Sequence, residues 1–97
     1  MLRRFRVEGH SMEPCFRWGD RVLVERWSFT KRWPREGEVV AVRHPFRRER
    51  VLIKRVACVW EDGQCFVIGE NPSDSHDSRH FGAVQREDVI GRVWFRY

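Results

Sequence analysis

Hydrophobic positions along the chain fall in short runs rich in valine and isoleucine, bounded by Gly, Pro, Asp and Asn, and show little of the three-to-four spacing of an amphipathic helix. This pattern predicts strands. Arg21-Val22-Leu23-Val24-Glu25 follows a Gly19-Asp20 turn, and Glu38-Val39-Val40-Ala41-Val42-Arg43 follows Pro34 and Gly37. A longer run, 51–60, precedes Asp62-Gly63, a strong hairpin signal, and should return through Gln64-Cys65-Phe66-Val67-Ile68. A final strand lies near 89–95 and a first one around Phe5-Arg6-Val7, with one short helical turn after Ser11-Met12-Glu13-Pro14. The sixteen residues 69–84, with Asn, Pro, three Ser, two Asp and two His, form a long irregular loop of the kind that usually carries function. The expected fold is mainly β, with little helix.

At 97 residues the chain is expected to be a single domain, 1–97, with one modest core. No apolar run approaches the ~18 residues of a membrane helix, and the start lacks a secretory apolar segment, so the expected location is the cytoplasm. Cys15, Cys58 and Cys65 are an odd set without Cys-x-x-Cys spacing, which predicts reduced, packed thiols and neither a disulfide framework nor a zinc site. Net charge is +5, with arginines gathered at Arg3, Arg4, Arg6 and at Arg43, Arg47, Arg48, Arg50. Solvated arms and loop tips account for such runs. A basic β-barrel that binds nucleic acid through arginine and aromatic residues such as Phe46-Arg47-Arg48 is the alternative, and nucleic acid is not the expected partner. Aromatic residues make up 13% of the chain. Most are expected in the core, with some of Phe16, Trp18, Trp27, Phe29 and Trp33 free to form an apolar shelf for substrate or lipid, which leaves peripheral membrane contact open.

One strand carries candidate chemistry. Residues two apart share a face, so Leu52, Lys54 and Val56 point the same way and Arg55 points to the other, solvated side. Lys54 then sits in an apolar row, where desolvation disfavours its charged form. With an ordinary pKa near 10.4, about one lysine in 2,500 is neutral at pH 7; a value lowered to about 8 makes that about one in ten, a shift of roughly 3 kcal/mol. A neutral lysine can act as a general base toward a serine hydroxyl. Lys31, the other lysine of the chain, has no strand pattern to bury it. A strand lysine that snorkels to solvent and a Ser11 that only caps a turn are the plain structural alternatives.

Four segments decide between them by occurring together and in order: Gly9-His10-Ser11-Met12-Glu13-Pro14, Gly19-Asp20, Ile53-Lys54-Arg55-Val56, and Gly69-Glu70-Asn71 running to Asp77-Ser78-Arg79 and Gly82. The set resembles the signal peptidase I family over about residues 7–93. That resemblance implies a signal-peptidase/LexA-like β-barrel-type catalytic core acting as a serine endopeptidase. Ser11 would be the nucleophile, Lys54 the base, Ser75 the hydroxyl that orients the lysine, and Asp77 with Arg79 a pair that stabilises the loop. The fourth segment is similar to the family's Gly-Asp-Asn and Ser-x-Asp-Ser-Arg, and resembles the LexA-like self-cleaving proteases much less. Cys15 replaces a family threonine and Glu70 an aspartate. Cys15 is thereby a rival nucleophile, although no partner histidine stands beside it in sequence. The Ser11 amide is a candidate oxyanion donor, and Gly9 stands where some members place a second, hydroxyl donor. His10, His76 and His80 suggest a triad or a metal site, but His76 and His80 lie in a Pro/Ser/Asp loop; the resemblance implies no metal and no cofactor.

Family members are usually membrane-anchored. A cytoplasmic member is favoured by Met1, and a truncated catalytic domain of an anchored enzyme is the alternative. The expected partner is a precursor protein that loses an N-terminal extension. Among members, the ending 89–97 is most similar to those that mature nickel-type superoxide dismutase, whose trimmed N-terminal amine and following histidine would ligate nickel.

Overall fold

Branching at Cβ restricts the side chain and suits a pleated surface, so the valine and isoleucine runs pair as strands and the Gly, Pro and Asp clusters between them turn. The computed structural model describes residues 2–74 and 76–97. Six strands form: β1 Leu2–Arg6, β2 Arg21–Glu25, β3 Val39–Arg43, β4 Val51–Val59, β5 Cys65–Ile68 and β6 Val89–Arg96. They make one antiparallel sheet in the order β1-β2-β6-β3-β4-β5. The last strand is therefore inserted between β2 and β3. Among the described residues helix is confined to the single turn α1 Ser78–Phe81 and to 3-10 turns at Trp27–Thr30, Pro72–Asp74 and Arg86–Asp88. Among the described residues no helix is long and apolar enough to cross a membrane. The Asp62-Gly63 turn joins β4 to β5 as expected, with Gly63 at φ +88°.

Both faces of the sheet are packed. Val7, Val22, Val24, Ala41, Ile53, Ile90 and Val93 form one apolar cluster. Val40, Val42, Val56, Cys65, Val67, Val84 and Val89 form the other. Val40 and Ala41 are neighbours in β3 yet belong to different clusters, which is strand alternation at work. The expectation that most aromatics are core does not hold: among the described residues none of the buried hydrophobic ones is aromatic, and Trp18, Trp27, Trp33, Trp60, Trp94, Phe46, Phe95 and Tyr97 are exposed. Closely packed faces of so small a sheet accept valine-sized side chains, and the large rings sit at the margins, as where Trp27 meets Trp94 edge-on at 5.5 Å. Cys15 likewise departs from the expectation of packed thiols. It is exposed, whereas Cys65 is buried and its thiol pushed up to about 11 by burial.

Many arginines are committed to carboxylates: Arg32 to Glu38, Arg48 to Asp88, Arg92 to Glu25 and Arg96 to Asp20. Where β6 runs beside the end of β2, Gly91 is required by contact, since a Cβ there would stand 2.4 Å from the Glu25 carbonyl oxygen. Gly91→Ala should therefore destabilise the fold by about 1–3 kcal/mol, read as an earlier urea midpoint, because rigid backbone must shift to admit the methyl.

Candidate active site

The loop carrying Ser11 is fixed at its neck and at its floor. Val7 N–H donates to the Asp20 carbonyl and Gly19 N–H to the Val7 carbonyl, each at 2.8 Å, closing the loop between β1 and β2. Gly9 turns the chain at φ +85°. Met12 is 1% exposed and sinks into the protein, which leaves Ser11 facing outward. Phe16 N–H donates to the Met12 carbonyl at 2.9 Å, giving the single turn expected after Ser11, and the Glu13–Pro14 bond is cis. Asn71 clamps the loop from outside: its N–H donates to the Ser11 carbonyl at 2.7 Å and its Nδ2 to the His10 carbonyl at 3.1 Å. Asn71 belongs to the fourth sequence segment, and no local pattern in the sequence signals its bond to the serine loop.

Lys54 stands opposite Val40 on β4, flanked on its own face by Leu52 and Val56 as the alternation requires. It is 3% exposed and does not snorkel to solvent. Lys54 Nζ donates to Ser11 Oγ at 2.6 Å, so two residues 43 positions apart meet at the mouth of an apolar row. Burial of this kind penalises the ammonium form. Arg55 leaves on the opposite face but is not simply solvated. It forms an ion pair with Glu70 through Nε and donates to the Gly37 carbonyl at 2.7 Å. Glu70, one methylene longer than the aspartate of the resemblance, thus ties the fourth segment to β4.

Within 69–84, Ser75 lies outside the described residues. Asp77 and Arg79 do meet. The buried Asp77 carboxylate accepts from Arg79 Nε at 3.0 Å and Nη2 at 2.6 Å, from Arg79 N–H at 3.0 Å, and from Gly69 N–H at 2.9 Å. It caps α1, and Ser78 Oγ accepts from Val67 N–H at 2.9 Å, fastening the segment to β5. The long loop is therefore partly helical. An Asp followed by Ser-Arg-His-Phe was the available signal, a helix cap too short for periodicity to reveal.

Ser11 and Lys54 open onto a cleft of about 150 Å³ whose walls include Leu52, Arg6, Arg50 and His76. Cys15 is not among them; its Sγ faces Arg55 Nη2 at 3.8 Å. His10 pairs with Glu13 at 2.6 Å and packs on Trp18. The histidine that sequence reasoning missed is His44, just after β3 and 3% exposed. Its Nδ1 accepts from Phe46 N–H and Arg47 N–H at 3.1 Å each, and its Nε2 lies 3.0 Å from His76 Nε2. Two backbone donors on Nδ1 leave the His44 proton on Nε2, which then donates to His76 and is not free to bind a metal. Among the described residues no group of three or more His, Cys, Asp or Glu is placed to hold a metal ion. Partial burial first, then nearby positive charge, holds His44 and His76 below the ordinary histidine value.

Residues 1–60 and 58–97 match the family described as signal peptidase, peptidase S26. Signal peptidase I of Bacillus caldolyticus is 51% identical over 35 residues, 36% of this chain and 19% of that protein. Mitochondrial inner membrane protease subunit 2 of Danio rerio is 31% identical over 109 residues, 91% of this chain and 60% of the relative. Subunit 2 of Schizosaccharomyces pombe is 32% identical over 110 residues, 90% of this chain and 59% of the relative. The chain spans less than two thirds of each of these proteins. Matched along its length, and with a mainly β fold, this chain belongs to the peptidase S26 signal peptidase family of serine peptidases.

Proposed function

We propose that the chain is a serine endopeptidase that cuts an N-terminal extension from a precursor protein, with Ser11 as nucleophile and Lys54 as general base. The observation that carries this is the 2.6 Å contact between Ser11 Oγ and a lysine amine that is 3% exposed. In the neutral amine the Nζ lone pair takes the Oγ proton as Oγ bonds to the scissile carbonyl carbon. The resulting ammonium returns that proton to the leaving amine as the peptide bond breaks, leaving an acyl-enzyme. Water then adds, giving a proton to Nζ, and Nζ passes it to Ser11 Oγ as the acyl–Oγ bond breaks and the acid departs, which restores the serine and the neutral amine. The Ser11 N–H, which has no acceptor among the described residues, is suited to the developing oxyanion. Ser75 orients the amine, as the resemblance implies. Asp77 and Arg79 hold the 69–84 segment by the bonds from Gly69 and the α1 amides.

The precursor we propose is a nickel-type superoxide dismutase, a reading supported by the similarity of the segment 89–97. Incubation with that precursor, followed by sequencing of the product's N-terminus, tests both levels. A single new N-terminus at the nickel-binding end, absent with Ser11→Ala, is expected. Cleavage of other precursors but not of the dismutase would overturn the substrate and leave the peptidase standing.

A further inference from the structure

Ser11 and Lys54 do not account for a second polar cluster on the same cleft. His44 is anchored beneath the surface by the two backbone N–H groups on its Nδ1, and its Nε2–H reaches His76 Nε2 at 3.0 Å. The two rings are stacked, with centroids 5.2 Å apart, and Phe81 packs against both at 4.9 and 5.3 Å. His80 continues the stack 5.4 Å from His76. His76 is itself solvent-exposed, and it lines the same cleft as Lys54.

The bonding pattern makes this pair resist protonation. A proton on His44 Nδ1 would displace both backbone donors, and one on His76 Nε2 would confront the N–H of His44. The groups acting on the pair are mostly cationic: His80, Lys54, Arg50 and Arg47 around His76, and Arg50 and Arg47 around His44, with Glu49 opposing. A flat, uncharged ring therefore lines the same cleft as Lys54 and brings to it none of the negative charge by which a carboxylate would stabilise the ammonium.

We infer that His76 is a positioning residue for Lys54, shielding its amine at the mouth of the cleft, and that His44 acts through it by fixing the ring and its tautomer. This rests on Lys54 being the base, so its test includes a readout that does not depend on turnover. The chain has two lysines, Lys31 and Lys54, so lysine labelled at Cε gives two titrating signals, assigned by Lys54→Met. Two variants separate shielding from folding. His76→Ala removes an exposed ring; His44→Asn keeps a side-chain acceptor for the Phe46 and Arg47 amides, as in an Asx turn, but is too short to reach His76.

In both variants the Lys54 signal should titrate at higher pH, by roughly 0.5 to 1 unit, with Lys31 unmoved. Correspondingly, kcat/KM should fall several-fold at about pH 7 and less at about pH 9. A Lys54 titration unchanged in both variants, while Ser11→Ala and Lys54→Met are inactive, overturns the shielding and leaves the dyad intact. Full activity in Lys54→Met overturns the dyad and with it this role for His76.

Discussion

Ser11→Ala should abolish cleavage, lowering kcat/KM by about 10³-fold or more, and leave the fold in place. The change deletes one oxygen that faces the cleft and removes no core volume. The bonds that shape the loop survive it, because Met12 remains buried and Asn71 N–H still donates to the carbonyl of residue 11. Stability in a urea titration should stay within about 1 kcal/mol of the parent. Cys15 cannot take over: its Sγ lies beside Arg55, outside the cleft, so alkylating it should leave turnover unchanged. Activity within about tenfold of the parent would show that the nucleophile is elsewhere.

Residues that obey a period were legible in the sequence, and residues that meet only through loop closure were not. β2 has the expected bounds, and β3, β4 and β5 differ from expectation by one residue at an end, because each carries β-branched residues that are buried on at least one face. β1 begins earlier than expected, at Leu2. It is an edge strand whose Leu2, Arg3 and Arg4 are exposed, so no buried face marks it. Alternation placed Lys54 in its apolar row, but no local pattern could say which side chain would meet it 43 residues away. Only the ordered set of segments did. His44 and His76 carry no such mark, since their contact arises where the β3–β4 connection meets the segment before α1. The same holds for Gly91, whose need for no side chain comes from the approach of the Glu25 carbonyl.

Lys54→Met should be as inactive as Ser11→Ala, and the pH dependence of the parent should say why. Methionine is close to lysine in volume and carries no charge, so at a site 3% exposed it keeps the packing and removes an amine that is costly to bury. Stability should hold or rise while turnover vanishes. A lysine base must be neutral to act, so kcat/KM in the parent should keep climbing between about pH 7 and about pH 9. The histidine pair cannot mimic that climb. His44 and His76 are held below the ordinary histidine value, so both have already lost their protons where the rate is still rising. Leu52→Ser gives an independent handle, because Leu52 borders the cleft and is only half-buried, whereas Val56, at 2% exposure, would confound the result with loss of core packing. Wetting the row at Leu52 should favour the ammonium and displace the profile to higher pH, costing more activity near pH 7 than near pH 9. A rate that instead levels off near pH 6.5, unmoved by Leu52→Ser, would assign the base to a histidine, with His10 and His76, both on the cleft wall, the candidates.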